Sequence, residues 1–498
     1  MTGGELQLVS YGEQDHFLTG NPQISYFKMV YRRYTNFATE SIKVDFEGND
    51  GINVNSKTKM QCKIPHHGDL VSNIYFSFTL PAIYSSAVGA AGATEFKWVK
   101  NIGTNMIDNV SITIGNTIID KHYGEWLNIW DQISGVGEIS FSKIIGNKEE
   151  LYEPKSGDVG NGTDYPTYSG DKPSIHSYNV YVPLIFWFNR NPGLALPLLS
   201  LQYHDVYIKL ELHKILDLYT IIPSGETTIN KPTTAASDNI GNFLSPSSDN
   251  ITSIDINPHL EINYVFLSQQ EKNRFAGIEH EYLIETNQRI VSNGHNTSSA
   301  VVNLPLKHPV KEMIWIAKRD DLEELNIWTN YTNWISETKA PYGEGYDAFY
   351  NFGNRASTSE RFFPNYDDDI NTDETDFAYL KKDIITDAKL MLNGMDRIKY
   401  KSASYFQYVQ SYQHYEKGIG NGKDGINLYS FSLHPSEFQP SGSCNMSKIS
   451  EIKMLFKMNP PPLKTGTTYW YNYNIHIYTI RYNILRITGG MGSLEFSN

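Results

Sequence analysis

The sequence predicts an all-β protein: two tandem eight-stranded jelly-roll β-sandwiches, with a short N-terminal helix and long inter-strand loops. Three observations lead there. Many short stretches alternate apolar and polar residues with period two. Aromatic residues are 13% of the 498-residue chain, with 34 Tyr and 23 Phe, and such side chains favour pleated, half-buried surfaces. The second half also repeats the first in order, at an offset of roughly 240–280 residues.

The elements follow in chain order. In "LTGNPQISYFKMVYRRYTNF", Asn21 can cap a helix and Pro22 suits its first position. Ile24, Phe27, Tyr31 and Tyr34 then recur at helical spacing, which predicts a short helix docking an aromatic face. Arg32 and Arg33 flank that face and are expected to pair with acidic neighbours. In "SIKVDFE", Ile42, Val44 and Phe46 share one side of a strand. "IYFSFTL" repeats the pattern through Ile74, Phe76, Phe78 and Leu80. "VSITIGNTIID" reads as two strands joined at Gly115-Asn116, and "DVYIKLELH" as a strand with Val206, Ile208, Leu210 and Leu212 inward. The stretch 218–255 is rich in Ser, Thr, Pro, Gly and Asn and reads as a linker or long loop. Alternation returns in "HLEINYVFLS" at Leu260, Ile262, Tyr264 and Phe266. The expected layout is therefore an arm over 1–40, a first jelly roll over 41–217, the linker over 218–255, and a second jelly roll with a C-terminal strand and tail over 256–498.

Three pairs of segments carry the repeat. "IPHHGDLVSNIYFSF" matches "LPLKHPVKEMIWIA", and "ITIGNTIIDKHYGEWLNIW" matches "LMLNGMDRIKYKSASYFQY". "YVPLIFWFNRNPGLALPLLSLQYHDVYIKLEL" matches "LYSFSLHPSEFQPSGSCNMSKISEIKMLFKM". Many short strands with turn punctuation and long loops suit a two-sheet jelly roll.

Composition narrows the function classes. A formal net charge of -13 repels a phosphate backbone, so the basic-aromatic mix near Arg32 predicts structural docking rather than nucleic-acid coating. Cys62 and Cys444 are too few and too far apart for a disulfide framework, and two reduced thiols are expected. The N-terminus lacks a basic-then-apolar signal pattern. The runs "VYVPLIFWF" and "GLALPLLSL" reach only about half of a membrane span.

Catalytic signatures fail one by one. "GIGNGKDG" follows Lys417 and places Asp424 after Lys423, so it is not a P-loop. No G-x-S-x-G or H-E-x-x-H occurs, and His66 and His67 are adjacent, poor geometry for one metal. Asp367, Asp369 and Asn371 have Ca²⁺-loop spacing without the later Gly and Glu. Sequons in apparent loops make Asn161, Asn250, Asn296 and Asn330 candidate glycosylation sites, though not by an ordinary secretory route. "NIWTNYTNWISE" offers Trp328, Tyr331 and Trp334 as a sugar-binding platform, which would make the chain a lectin-like sandwich instead of a structural subunit.

"LVSYGEQDHFLTGNPQISYFKMVYRRYTNFATESI" closely resembles the N-terminus of major capsid proteins of nucleocytoplasmic large DNA viruses, of the phycodnavirus and mimivirus type. "DKHYGEW", "EYLIE", "QPSGSCNMSKI" and "YNILRITGGMGSLEFSN" resemble further blocks of that family, in family order. The resemblance implies a structural protein with no catalytic residue, no cofactor and no metal. It implies a homotrimer whose six jelly rolls form a pseudo-hexagonal capsomer, tiling an icosahedral shell above an inner membrane that the chain does not enter. Implied partners are neighbouring capsomers and minor capsid or penton proteins, with no direct nucleic acid. Assembly is expected in the host cytoplasm and the chain in the virion capsid. Ile24, Phe27, Tyr31, Arg32, Arg33 and Tyr34 are then a base segment facing the particle interior.

Overall fold

A computed structural model describes residues 2–48, 51–85, 94–135, 138–152, 173–222, 231–248, 250–334, 382–415, 425–461 and 471–496. The first sandwich has eight principal strands: β1 (Phe37–Asp45), β2 (Thr58–Lys63), β3 (Leu70–Leu80), β4 (Ile107–Ile114), β5 (Thr117–Tyr123), β6 (Tyr178–Pro183), β7 (Val206–Leu212) and β8 (His259–Leu267). They form two antiparallel sheets, ordered β1-β8-β3-β6 and β2-β7-β4-β5. The second has β9 (His280–His295), β10 (Ser299–Asn303), β11 (Pro309–Arg319), β12 (Ile385–Leu392), β13 (Met395–Ser402), β14 (Asn427–Ser430), β15 (Ile452–Met458) and β16 (Tyr473–Thr488). Its sheets run β9-β16-β11-β14 and β10-β15-β12-β13, the same order strand for strand. The three repeat pairs read from sequence therefore join equivalent strands: β3 with β11, the β4-β5 hairpin with β12-β13, and β6-to-β7 with β14-to-β15.

Alternation explains the layers. β2 and β7 bury every second residue, so Met60, Cys62, Ile208 and Leu210 enter the core while Lys59, Gln61 and Lys209 face out. The hairpins turn in two residues. Gly115 sits at φ +58°, and Asn393 and Gly394 at +49° and +79°, the positive values that tight turns demand.

The structure moves two expectations. The sequence places His259–Leu267 in the second unit, but β8 lies between β1 and β3, with Ile42 opposite Ile262 and Ile74 opposite Ile262 on the other side. The linker expectation fails because described parts of 218–255 pair with strands of the first sandwich. Tyr219–Ile222 pairs with Glu95–Trp98, and Ser253–Ile254 pairs with Ile52–Asn53. The predicted helix after Pro22 is also displaced. The N-terminal helices are α1 (Gly3–Val9) and α2 (Glu13–Thr19), while residues 21–36 carry no helix. Asn21 takes φ +48° and breaks the path. The segment after it is rich in aromatic and β-branched residues and has no core to pack on, so helical spacing alone does not hold a helix.

Candidate assembly site: the seam between the jelly rolls and the N-terminal arm

β11, "PVKEMIWIAKR", is buried along nearly its whole length on both faces. Met313, Trp315 and Ala317 point into the second sandwich core. Ile314 and Ile316 point outward, yet water does not reach them, because helix α3 (Gly124–Ser134) of the first sandwich lies there. Trp126, Ile129 and Ile133 of α3 form one buried cluster with Ile314, Ile316, Leu428, Tyr478 and Ile480. The opposite side of α3 faces its own roll: Leu127 joins the first core, and Asn128 bonds Thr104, Asn101 and Asn105. A Cβ on Gly124 would collide with the Thr104 and Ile107 carbonyl oxygens, so glycine lets the helix start hard against its own sheet.

Charges are buried with the apolar seam. Glu125 accepts from Lys318 Nζ at 2.9 Å, from His476 Nδ1 at 2.6 Å and from Tyr478 OH at 2.6 Å. Burial opposes its ionisation, but His476 and Lys318 outweigh it and hold the carboxyl well below the usual range. An ionised carboxylate only accepts, so His476 Nδ1 donates. Glu285 of β9 bonds both Arg190 of the first sandwich and Lys311 of the second. Burial likewise opposes its charge, and Arg190 and Lys311 still lower its pKa. Arg190 also lies over the Trp130 ring, 4.6 Å from its centre. Asn287 N donates to Asp120 Oδ1 at 3.0 Å, tying β9 to β5.

Glu312 differs from these carboxylates. It is fully buried, and among the described residues the one hydrogen bond to its carboxyl group comes from Tyr415 OH to Oε2 at 2.7 Å. Oε1 has no partner. Burial dominates and pushes the carboxyl up to about 7, with Lys311 and Tyr415 offsetting only part.

The loop after β11 clasps the first sandwich. Trp328 Nε1 donates to Asp217 O at 2.9 Å, and Asn326 Nδ2 donates to Leu216 O and Tyr219 O at 2.9 and 2.8 Å. This overturns the sugar-platform expectation. Tyr331 is buried in the seam cluster and Trp328 is committed to the other sandwich, so no open aromatic platform exists at these residues. Asn330 is corrected for the same reason: it is 1% exposed, and its Nδ2 donates to Trp334 O at 2.6 Å, leaving no room for a glycan. Asn250 is exposed and Asn296 half-buried, while Asn161, Asp367, Asp369 and Asn371 lie outside the described residues. Cys62 and Cys444 are free thiols, and burial pushes Cys62 up to about 12. Among the described residues no cluster of three His, Cys, Asp or Glu could hold a metal. No described helix is long and apolar enough to cross a membrane.

The arm is the other unusual surface. Ile24, Phe27, Tyr31 and Tyr34 are exposed, Phe27 by 99%, with Arg32 and Arg33 beside them. Leu8, Phe17, Leu18, Tyr26 and Val30 are exposed too. Such a run of bare apolar side chains makes the arm a candidate interaction surface. Sequence reasoning singled out residues of this arm and missed the seam. Glu125 and Lys318 stand 193 positions apart, and only the buried charges within β11 hinted at it.

Known proteins share this architecture. The family described as "Major capsid protein N-terminus" matches residues 25–268, and "Large eukaryotic DNA virus major capsid protein" matches 271–493. The two matches meet just after β8, where the first sandwich ends. The chain is 33% identical to the major capsid protein of Phaeocystis pouchetii virus and 32% identical to that of Paramecium bursaria Chlorella virus 1, over the full length of each partner. Among solved structures, a chain of the PBCV-1 virus capsid superposes with a TM-score of 0.66 at 26% identity, covering 95% of this chain and all of that one. The Faustovirus major capsid protein shares the fold, with a TM-score of 0.64 at 13% identity, covering 96% of this chain and 94% of that one. These relatives are structural proteins, not enzymes. With its doubled jelly roll and full-length matches, the chain belongs to the major capsid protein family of large eukaryotic DNA viruses and is a component of the virion shell.

Proposed function

We propose that three copies form a closed trimer, the capsomer, in which six jelly rolls give a near-hexagonal outline. The observation that carries this reading is the seam. Two sandwiches of one topology are locked side by side by a helix on one pressed against a sheet of the other. A rigid pair of like modules is the unit from which a three-fold ring gains near-sixfold edges. The solution mass of the purified chain tests it. The reading requires about 170 kDa, three copies of 56.7 kDa.

The arm is the capsomer base in this reading. Its bare aromatic and aliphatic side chains are covered in the shell by neighbouring capsomers and by minor capsid or penton proteins, above a membrane that the chain does not enter. The acidic balance suits a shell that leaves the genome to other proteins. Host cytoplasm is the proposed place of assembly. Lys28, Arg32 and Arg33 make the arm a direct reporter. Trypsin should cut there quickly in the isolated protein, and at least about tenfold more slowly in assembled shells, where the base is covered. Equal cutting rates would show that the arm stays bare.

A further inference from the structure

The seam within one chain has a counterpart in the second sandwich, exposed among the described residues at Val409 and Tyr412. After β13 the second sandwich carries its own helix, a π turn over Tyr405–Val409 running into α4 (Gln410–His414). It follows the β12-β13 hairpin as α3 follows β4-β5. Its inner side packs on its own roll as α3 does: Phe406 stands 4.9 Å from Trp315, and Gln407, Gln410 and Ser411 are buried. The outer side of α3 presents Ile129, Trp130 and Ile133. The outer side of the second helix presents Tyr408, Val409 and Tyr412 at the same spacing, and there Val409 is 40% and Tyr412 86% exposed.

The surface that would receive it can be read from strand register. α3 rests on Ile314 of β11, which pairs with Leu428 of β14 and Tyr478 of β16. Two residues on, Ile316 pairs with His476. In the first sandwich Tyr75 precedes the core Phe76 as Ile314 precedes the core Trp315. Tyr75 pairs with Pro183 of β6 and Glu261 of β8. Two residues on, Ser77 pairs with Tyr181 and His259, so His259 takes the place of His476. This outer face carries half-buried Tyr75 and Pro183, with Tyr181 40% exposed.

We propose that the Tyr405–His414 helix of one copy docks, through Val409 and Tyr412, on the β3-β6-β8 face of the next copy's first sandwich, around Tyr75, Tyr181 and Pro183. The inference rests on the trimer reading and names its contacts. The occupant is a second copy because the joint extends an interface the chain already makes, helix on the same sheet at the same register. Each copy then has one donor helix and one acceptor face, a head-to-tail joint that closes a ring. The chemistry differs from the internal seam in the expected way. The internal face, built from Ile314, Ile316, Leu428 and Ile480 with Trp126 and Tyr478, is permanently covered. The face between copies is tyrosine and polar, compatible with water before assembly and able to supply aromatic anchors after it.

Cysteine cross-linking tests the joint, in a Cys444→Ser background that leaves the buried Cys62 alone. Tyr412→Cys is combined in turn with Tyr75→Cys, Tyr181→Cys and Asn179→Cys. At least one double variant should yield covalent dimers and trimers on oxidation, while a mixture of the two single variants stops at dimers. Tyr412→Asp should weaken trimerisation by about tenfold or more while the dissociated chain keeps its fold, read from its circular dichroism, since the side chain is exposed in the single chain. A protein that is trimeric by light scattering, yet gives no cross-link and stays trimeric as Tyr412→Asp, overturns these contacts and leaves the trimer standing. A wild-type chain that is monomeric at high concentration overturns both.

Discussion

Glu125→Ala should lower the stability of the folded chain by about 3–5 kcal/mol, the cost of removing one partner from a buried ion pair. The substitution strands Lys318, whose side chain is only 5% exposed, and deprives His476 and Tyr478 of their acceptor. Glu323 stands 3.7 Å from Lys318 Nζ and recovers a little of the loss. Glu125 also lies in the first turn of α3, where a negative charge favours the helix, so its loss weakens the element that holds the rolls together. Glu125→Gln should cost less, because the amide oxygen still accepts from Tyr478. Glu125→Leu with Lys318→Met should cost less than Glu125→Ala, because no charge is left buried alone. Thermal and denaturant unfolding of the set check the order. The carboxyl is held below its ordinary 4.5, so its contribution is present above that value and fades as pH falls toward the lowered one. A Glu125→Ala midpoint equal to wild type at neutral pH would mean that the seam does not depend on this cluster.

Glu312→Gln should have the opposite sign. The folded carboxyl titrates near 7 and the unfolded one near 4.5. Between those values the unfolded chain has released a proton that the folded chain still holds. Stability therefore falls as pH rises through this window, and the full penalty, on the order of 1–3 kcal/mol, is present above it. Below 4.5 both states are protonated and the group contributes nothing. Glutamine mimics the protonated acid, keeps an oxygen for Tyr415 OH and carries no such penalty. The variant should unfold at a higher temperature than wild type at pH 8, and the gap should close as pH falls to about 4. A gap that does not change with pH, or a loss of stability at pH 8, would contradict the burial argument.

The parts of the fold that were legible follow from period-two alternation. β1, β3, β4, β7 and β8 each present one apolar and one polar face, so their residues reveal both strand and side. The repeat was legible because each sandwich reuses the same turns, Gly115-Asn116 and Asn393-Gly394, ahead of a helix. The boundary was not, because β8 joins the first sheet only after a long excursion, and nothing local in His259–Leu267 says which sheet it completes. The helix read into Ile24–Tyr34 failed because spacing shows an amphipathic face, whereas a short helix needs a surface to bury it. The seam was the least visible part. Its members Glu125, Arg190, Glu285, Lys318 and His476 come from distant segments, and in sequence each looks like an ordinary solvated charge. Trp328 and Tyr331 misled for the same reason: an aromatic in a long loop reads as exposed until the neighbouring sandwich is in place.

The closed trimer is the claim on which the capsomer base and the helix-to-sheet joint both depend. Light scattering of the purified chain over a range of concentrations measures it most directly. A single species near 170 kDa, three times 56.7 kDa and unchanged on dilution, is the result the closed ring predicts. A species that stays at 56.7 kDa at the highest concentration would contradict it.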